Sequence, residues 1–188
     1  MAVSTRARTV TLLGSTGSIG TQAVDVIGRN PERFVVEAIS AGGADPALVI
    51  DQARALGVRA VAVADPEAAR VVRAALGSVE VLDGPGAAAE VAGRGSDVVL
   101  NGITGAVGLR PTLAALGVGS TLALANKESL VIGGRLVTGA VRRPDQVVPV
   151  DSEHSAIAQS LRSGAPGRYA ASSSPRRAGR SCGARATR

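Results

Sequence analysis

The chain has 188 residues, enough for one large domain or one domain with part of a second; 45% of it is hydrophobic, yet its only aromatic residues are Phe34 and Tyr169. A core of Val, Leu, Ile and Ala suits a buried parallel sheet, the lone Cys182 excludes an internal disulfide framework, and no apolar run reaches the length of a membrane span, so a cytoplasmic protein with no membrane partner is expected. The formal charge of +6 belongs to a tail: residues 168–188 hold six arginines and no acid, which leaves 15 basic and 15 acidic groups in residues 1–167 and gives no support to a nucleic-acid partner.

In chain order, apolar runs rich in β-branched residues predict strands at 9–13 (TVTLL), 34–40 (FVVEAIS), 59–63 (RAVAV), 79–82 (VEVL), 97–101 (DVVLN), 121–125 (TLALA) and 147–150 (VVPV). Helical patterns fall between them at 18–29, 46–56, 66–76, 85–93, 106–117 and 127–142. Two helix starts are marked by Asp45-Pro46 and Asp65-Pro66, a capping residue followed by proline in the first turn. Alternating β and α elements with apolar strands predict an α/β fold, a doubly wound and mostly parallel sheet of the Rossmann type. Residues 1–150 read as a nucleotide-binding domain, 151–167 as a connective stretch beyond it, and 168–188 as a tail of disordered composition.

The first β–α turn carries G-S-T-G-S-I-G, with Gly14, Gly17 and Gly20 three residues apart. A glycine cluster also makes ordinary turns, but one that follows the first strand and opens a helix has the context of a dinucleotide site. There Thr16, Gly17, Ser18 and Ile19 would offer N–H groups and hydroxyls to a pyrophosphate. The end of the second strand selects the nucleotide. Ser40-Ala41-Gly42-Gly43-Ala44 has no carboxylate to hold a ribose 2′-hydroxyl or to repel a 2′-phosphate, which favours NADP over NAD, although no nearby Arg or Lys stands ready to grip that phosphate.

Two polar motifs follow the last strands. In LANKESLV (124–131), Asn126, the chain's one lysine Lys127, and Glu128 stand at the ligand-facing end of the sheet, where they read either as a site or as a solvated helix start. In VPVDSEHSAI (149–157), Asp151 and Glu153 are two apart, so an extended backbone puts both carboxylates on one face. That pair suits a hard divalent cation, although Asp151 or Ser152 is equally suited to capping a helix. His154 reads as a neighbour of the site more than as a ligand.

Taken in order, GSTGSIG, NGITGAVGL, LANKESLV and PVDSEHSAI resemble the 1-deoxy-D-xylulose 5-phosphate reductoisomerase family of non-mevalonate isoprenoid biosynthesis, over about residues 9–163. The resemblance implies that Thr16, Gly17, Ser18, Ile19, Gly42, Gly43, Asn126 and Glu128 contact NADPH. It further implies that Lys127, Ser152 and Glu153 touch a sugar phosphate substrate, with Lys127 and Glu153 the catalytic pair, and that Asp151 and Glu153 bind Mg2+ or Mn2+. The metal would chelate the substrate's carbonyl and hydroxyl oxygens during rearrangement of the carbon skeleton, and NADPH would reduce the resulting aldehyde. A homodimer is the family's assembly. Two rivals differ in kind. Semialdehyde and acyl-phosphate reductases share the glycine opening but need a cysteine nucleophile, and the one cysteine lies in the tail. A non-catalytic NADP-binding module would need only the glycine loop.

The resemblance implies that residues 151–167 begin a second, catalytic domain, and it stops in the tail. After DSEHSAI the family continues with a motif like L-x-x-T-A-S-G-G-P-F, where this chain has RYAASSSPRRAGRSCGA (168–184). A G+C-rich codon string for those residues encodes EVRRLVVTASGGPFLRG when read one nucleotide earlier. That points to a frameshift, in the gene or in its sequencing, and to a chain without the family's later catalytic groups.

Overall fold

The computed structural model describes residues 6–150, 155–157 and 159–160. The expected Asp151, Ser152 and Glu153, together with His154 and the tail, lie outside the described residues.

The chain runs β1 (Arg8–Leu13), α1 (Ser18–Gly28), β2 (Phe34–Ala41), α2 (Pro46–Leu56), β3 (Ala60–Val63), α3 (Pro66–Leu76), β4 (Glu80–Asp83) and α4 (Ala87–Ala92). It continues through β5 (Val98–Asn101), a 3-10 turn (Ala106–Gly108), α5 (Leu109–Gly117), β6 (Thr121–Leu124), α6 (Lys127–Ala140) and β7 (Val147–Pro149). The expected alternation is present, with strands in the order β4-β3-β2-β1-β5-β6-β7 and every pairing parallel. Both Asp-Pro starts behave as the sequence predicts: the Leu48 N–H donates to Asp45 Oδ1 at 3.0 Å, and the Glu67 N–H to Asp65 Oδ1 at 2.9 Å.

Because neighbouring side chains of a strand point to opposite faces, Leu12 and Leu13, both fully buried, serve two different cores. Leu12 joins Ile39, Val49, Val61 and Val72 under α1, α2 and α3. Leu13 joins Val91, Val99, Leu116, Leu122 and Val137 under α4, α5 and α6. Fully burying each such side chain contributes roughly 1.5–3 kcal/mol, which explains how a chain with one described aromatic residue closes two cores.

The structure departs from simple periodicity at three places. β2 carries an extra residue opposite β1, since Val10 pairs with Val36 while Thr11 pairs with Ala38. The helix predicted over 106–117 begins as a 3-10 turn before α5. α6 is broken at Gly134, whose φ of 36° and ψ of −109° leave the helical region. Just before the break, a Cβ on Gly133 would stand 2.6 Å from Leu109 Cδ1, so α6 lies close against α5. Among the described residues, no helix is long and apolar enough to cross a membrane.

Candidate functional site

From β1 the chain proceeds to β2 on one side, and it returns from β4 to β5 on the other side of β1. The loops after β1 and β5 therefore diverge, opening a crevice at the carboxyl ends of the strands. A cleft of about 390 Å3 lies there, bordered among others by Gly14, Gly17, Gly42, Gly84, Gly102 and Val107.

The three glycines of the first loop have different duties. Gly14 has φ +76°, and a Cβ on it would stand 3.0 Å from the Gly102 carbonyl, so the position needs both a left-handed backbone and close contact with the β5 loop. Gly20 lets α1 pack down, because a Cβ there would fall 2.2 Å from the Gly14 oxygen and 2.6 Å from Ser15 Cα. Gly17 meets no comparable obstacle, its nearest contact being 3.4 Å from the Gly14 oxygen. It is exposed, borders the cleft, and keeps that wall free of a side chain.

α1 starts without a side-chain cap, and the Thr21 N–H bonds the Gly17 oxygen at 2.9 Å. The N–H groups of Ser18, Ile19 and Gly20 therefore have no acceptor within the helix, and the partial positive charge of a helix N-terminus faces this loop. Thr16 and Ile19 are half-buried, while Ser18 is exposed. The loop is held from behind: the N–H groups of Gly14 and Ser15 both donate to the Ser40 oxygen, at 2.9 and 2.8 Å.

At the end of β2 the paired glycines also divide. Gly42 is exposed, borders the cleft, and has open space where a Cβ would stand. Gly43 has φ +113°, and a Cβ on it would come within 2.8 Å of Asp65 Cβ and 2.9 Å of Ala68 Cβ, so it allows α3 to approach. The nearby carboxylates of Asp45 and Asp65 are engaged as helix caps, and neither residue borders the cleft.

Asn126, Lys127 and Glu128 stand at the same end of the sheet, after β6, without bordering this cleft. Asn126 is 3% exposed and fully engaged. Its Oδ1 accepts the Ser129 N–H at 2.9 Å, while its Nδ2 donates to the oxygens of Ile103 and, at 2.9 Å, Gly105. The side chain thus caps α6 and ties it to the loop after β5. Lys127 is exposed and Glu128 half-buried in the first turn of α6. Sequence reasoning gave no individual role to Gly84, Pro85 or the Gly102–Thr104 stretch, which complete the cleft; their signal is the turn chemistry directly after β4 and β5.

A larger opening, about 580 Å3, lies at the amino ends of β5 and β6, where Arg6, Arg8, Asp97 and Arg143 gather. Asp97 and Arg143 are engaged by their neighbours. Asp97 accepts from the Thr9 N–H at 2.9 Å and the Thr9 hydroxyl at 3.1 Å, which holds its carboxyl below the usual range, helped by Arg6 and Arg8. Arg143 donates to Thr121 Oγ1 at 2.7 Å. Among the described residues no group of three or more His, Cys, Asp or Glu side chains is placed to hold a metal.

A seven-stranded parallel sheet whose first β–α turn offers bare backbone and unbonded N–H groups to a crevice defines a Rossmann-type dinucleotide-binding domain. A sequence model of 1-deoxy-D-xylulose 5-phosphate reductoisomerase matches residues 10–134. The reductoisomerase of Beutenbergia cavernae is 67% identical over 163 residues, covering 85% of this chain and 41% of the relative. The chain belongs to the 1-deoxy-D-xylulose 5-phosphate reductoisomerase family. Among solved structures, the Zymomonas mobilis reductoisomerase in complex with NADPH superposes with a TM-score of 0.77 at 43% identity, over 82% of this chain and 41% of that one. A reductoisomerase in complex with NADPH, fosmidomycin and magnesium gives 0.76 at 31% identity, over 81% of this chain and 38% of that one. The chain thus spans about two fifths of the length of these relatives.

Proposed function

We propose that the cleft holds NADPH and that this chain is the cofactor-binding portion of a 1-deoxy-D-xylulose 5-phosphate reductoisomerase. The observation that carries this reading is the glycine loop beside the end of β2, where Gly17 and Gly42 leave the walls bare and the α1 N-terminus offers unbonded N–H groups. These groups fit a pyrophosphate. The end of β2 fits NADPH better than NADH, since no carboxylate borders the cleft where a 2′-phosphate would lie.

In this reading Thr16, Gly17, Ser18 and Ile19 bind the pyrophosphate, Gly42 and Gly43 flank the ribose phosphate, and Glu128 contacts the cofactor from the start of α6, with Asn126 serving it through the loop after β5 that its side chain holds. Bound NADPH supplies the hydride for an aldehyde. Asn126 acts by fixing the loop after β5, and Lys127 offers an exposed ammonium to a phosphate or hydroxyl oxygen of the substrate. Ser152 and Glu153 join Lys127 on the substrate, and Asp151 with Glu153 holds Mg2+ or Mn2+, a hard cation matched to carboxylate oxygens. The reaction of the complete enzyme is the NADPH-dependent rearrangement and reduction of 1-deoxy-D-xylulose 5-phosphate to 2-C-methyl-D-erythritol 4-phosphate. A cytoplasmic setting and homodimeric assembly belong to the same proposal.

A second reading rests on the tail, where RYAASSSPRRAGRSCGA (168–184) stands in place of the motif that the family resemblance leads one to expect. The residues named above supply a cofactor site, two metal carboxylates and three substrate contacts, too few to fix both ends of a small sugar phosphate. Positioning contributes up to ~7–11 kcal/mol in favourable cases, so losing it is costly. The 188-residue chain is therefore proposed to bind NADPH without turnover, and its tail to be out of frame. NADPH oxidation with 1-deoxy-D-xylulose 5-phosphate and Mn2+, followed for this chain and for a gene with the frame restored near the codons for 160–170, separates the cases. Only the restored protein is expected to turn over; substantial activity in the short chain, or none in either, contradicts the proposal.

A further inference from the structure

Gln52 is a polar side chain in the middle of the buried face of α2, between Val49 and Ala53, and it is 4% exposed. Its Nε2 donates to the Ser15 carbonyl oxygen at 3.0 Å, a buried bond spanning 37 residues. Its Oε1 is buried with no partner among the described residues. An orphaned buried acceptor is a cost that a Leu or Met of similar size would avoid, so the amide is explained by what Nε2 does for the loop.

Ser15 is fully buried, and its N–H is already fixed on the Ser40 oxygen at 2.8 Å. Gln52 fixes the following peptide. In a trans peptide the N–H points opposite to the C=O, so holding the Ser15 oxygen toward α2 turns the Thr16 N–H away from α2. That N–H has no acceptor among the described residues. We propose that Gln52 is a positioning residue for the dinucleotide: it sets the Ser15–Thr16 peptide so that the Thr16 N–H stands ready for a phosphate oxygen. The inference rests on the NADPH reading above, and it concerns a residue of α2 that never touches the cofactor.

The test is NADPH affinity of the full 188-residue chain, as wild type, Gln52→Leu and Gln52→Glu, across pH 6 to 8.5. Gln52→Leu keeps the volume and loses the donor; its binding is expected to weaken about tenfold, which is about 1.4 kcal/mol. Gln52→Glu carries a donor only when protonated, so its affinity relative to wild type is expected to fall as pH rises, while the Leu ratio stays flat. Urea unfolding of each variant at each pH separates positioning from lost stability, since a purely structural role would lower the affinity ratio only in step with the unfolding midpoint, and the Glu variant remains informative if Gln52→Leu fails to fold. Wild type that binds NADPH alongside a Glu variant with a flat ratio near one overturns the role of Gln52 alone. Wild type that binds no NADPH overturns the cofactor reading itself.

Discussion

At the scale of single residues, Gly17 and Gly20 look alike in sequence and differ in what surrounds them. A Cβ on Gly20 would overlap backbone atoms of Gly14 and Ser15, which have no rotamer to change. Gly20→Ala is therefore expected to lower stability by about 1–3 kcal/mol, the usual cost of overpacking, measured by urea unfolding. A Cβ on Gly17 is accommodated by the protein but projects into the space assigned to the cofactor. Gly17→Ala is expected to leave the unfolding midpoint nearly unchanged while weakening NADPH binding by about tenfold or more. Equal effects of the two substitutions on stability would contradict this division.

At the scale of elements, the starts of β1 and β5 are tied together by Asp97 and Thr9. The Asp97 carboxyl is held below its usual range by the Thr9 N–H, then by the Thr9 hydroxyl. A lowered carboxyl contributes stability above its unfolded value of about 3.9 and loses it as pH falls through the lower folded value. Asp97 is exposed, so the contribution is modest, under about 1 kcal/mol. Asp97→Asn is expected to be less stable than wild type at pH 7, with the gap closing toward acid; a gap of constant size from pH 7 to pH 3 would contradict the assignment. The alternation of strands and helices, and the two Asp-Pro caps, were legible because periodicity and capping are local. The extra residue in β2 was not legible, since it sits where Thr11 meets Ser96 and Ser96 meets Glu37, residues far apart in the chain. The break in α6 falls at Gly134, next to the close approach of Gly133 to Leu109, a contact that the local helical pattern does not show. In the site, the glycine cluster was readable as a whole. Its separate duties, the engagement of Asn126 with residues 103–105 and the reach of Gln52 to Ser15 depend on contacts that no spacing reveals.

At the scale of the molecule, two cores on opposite faces of one sheet keep the strand ends in register, and the cleft opens where the chain reverses across β1. Every group assigned to the pyrophosphate and ribose phosphate lies within residues 14–43, so cofactor binding can be measured on this domain apart from turnover. Calorimetric titration of the purified 188-residue protein with NADPH and with NADH tests this most directly. Saturable binding with a clear preference for NADPH is the expected result; equal affinity for the two cofactors, tighter NADH binding, or no binding of either would contradict it.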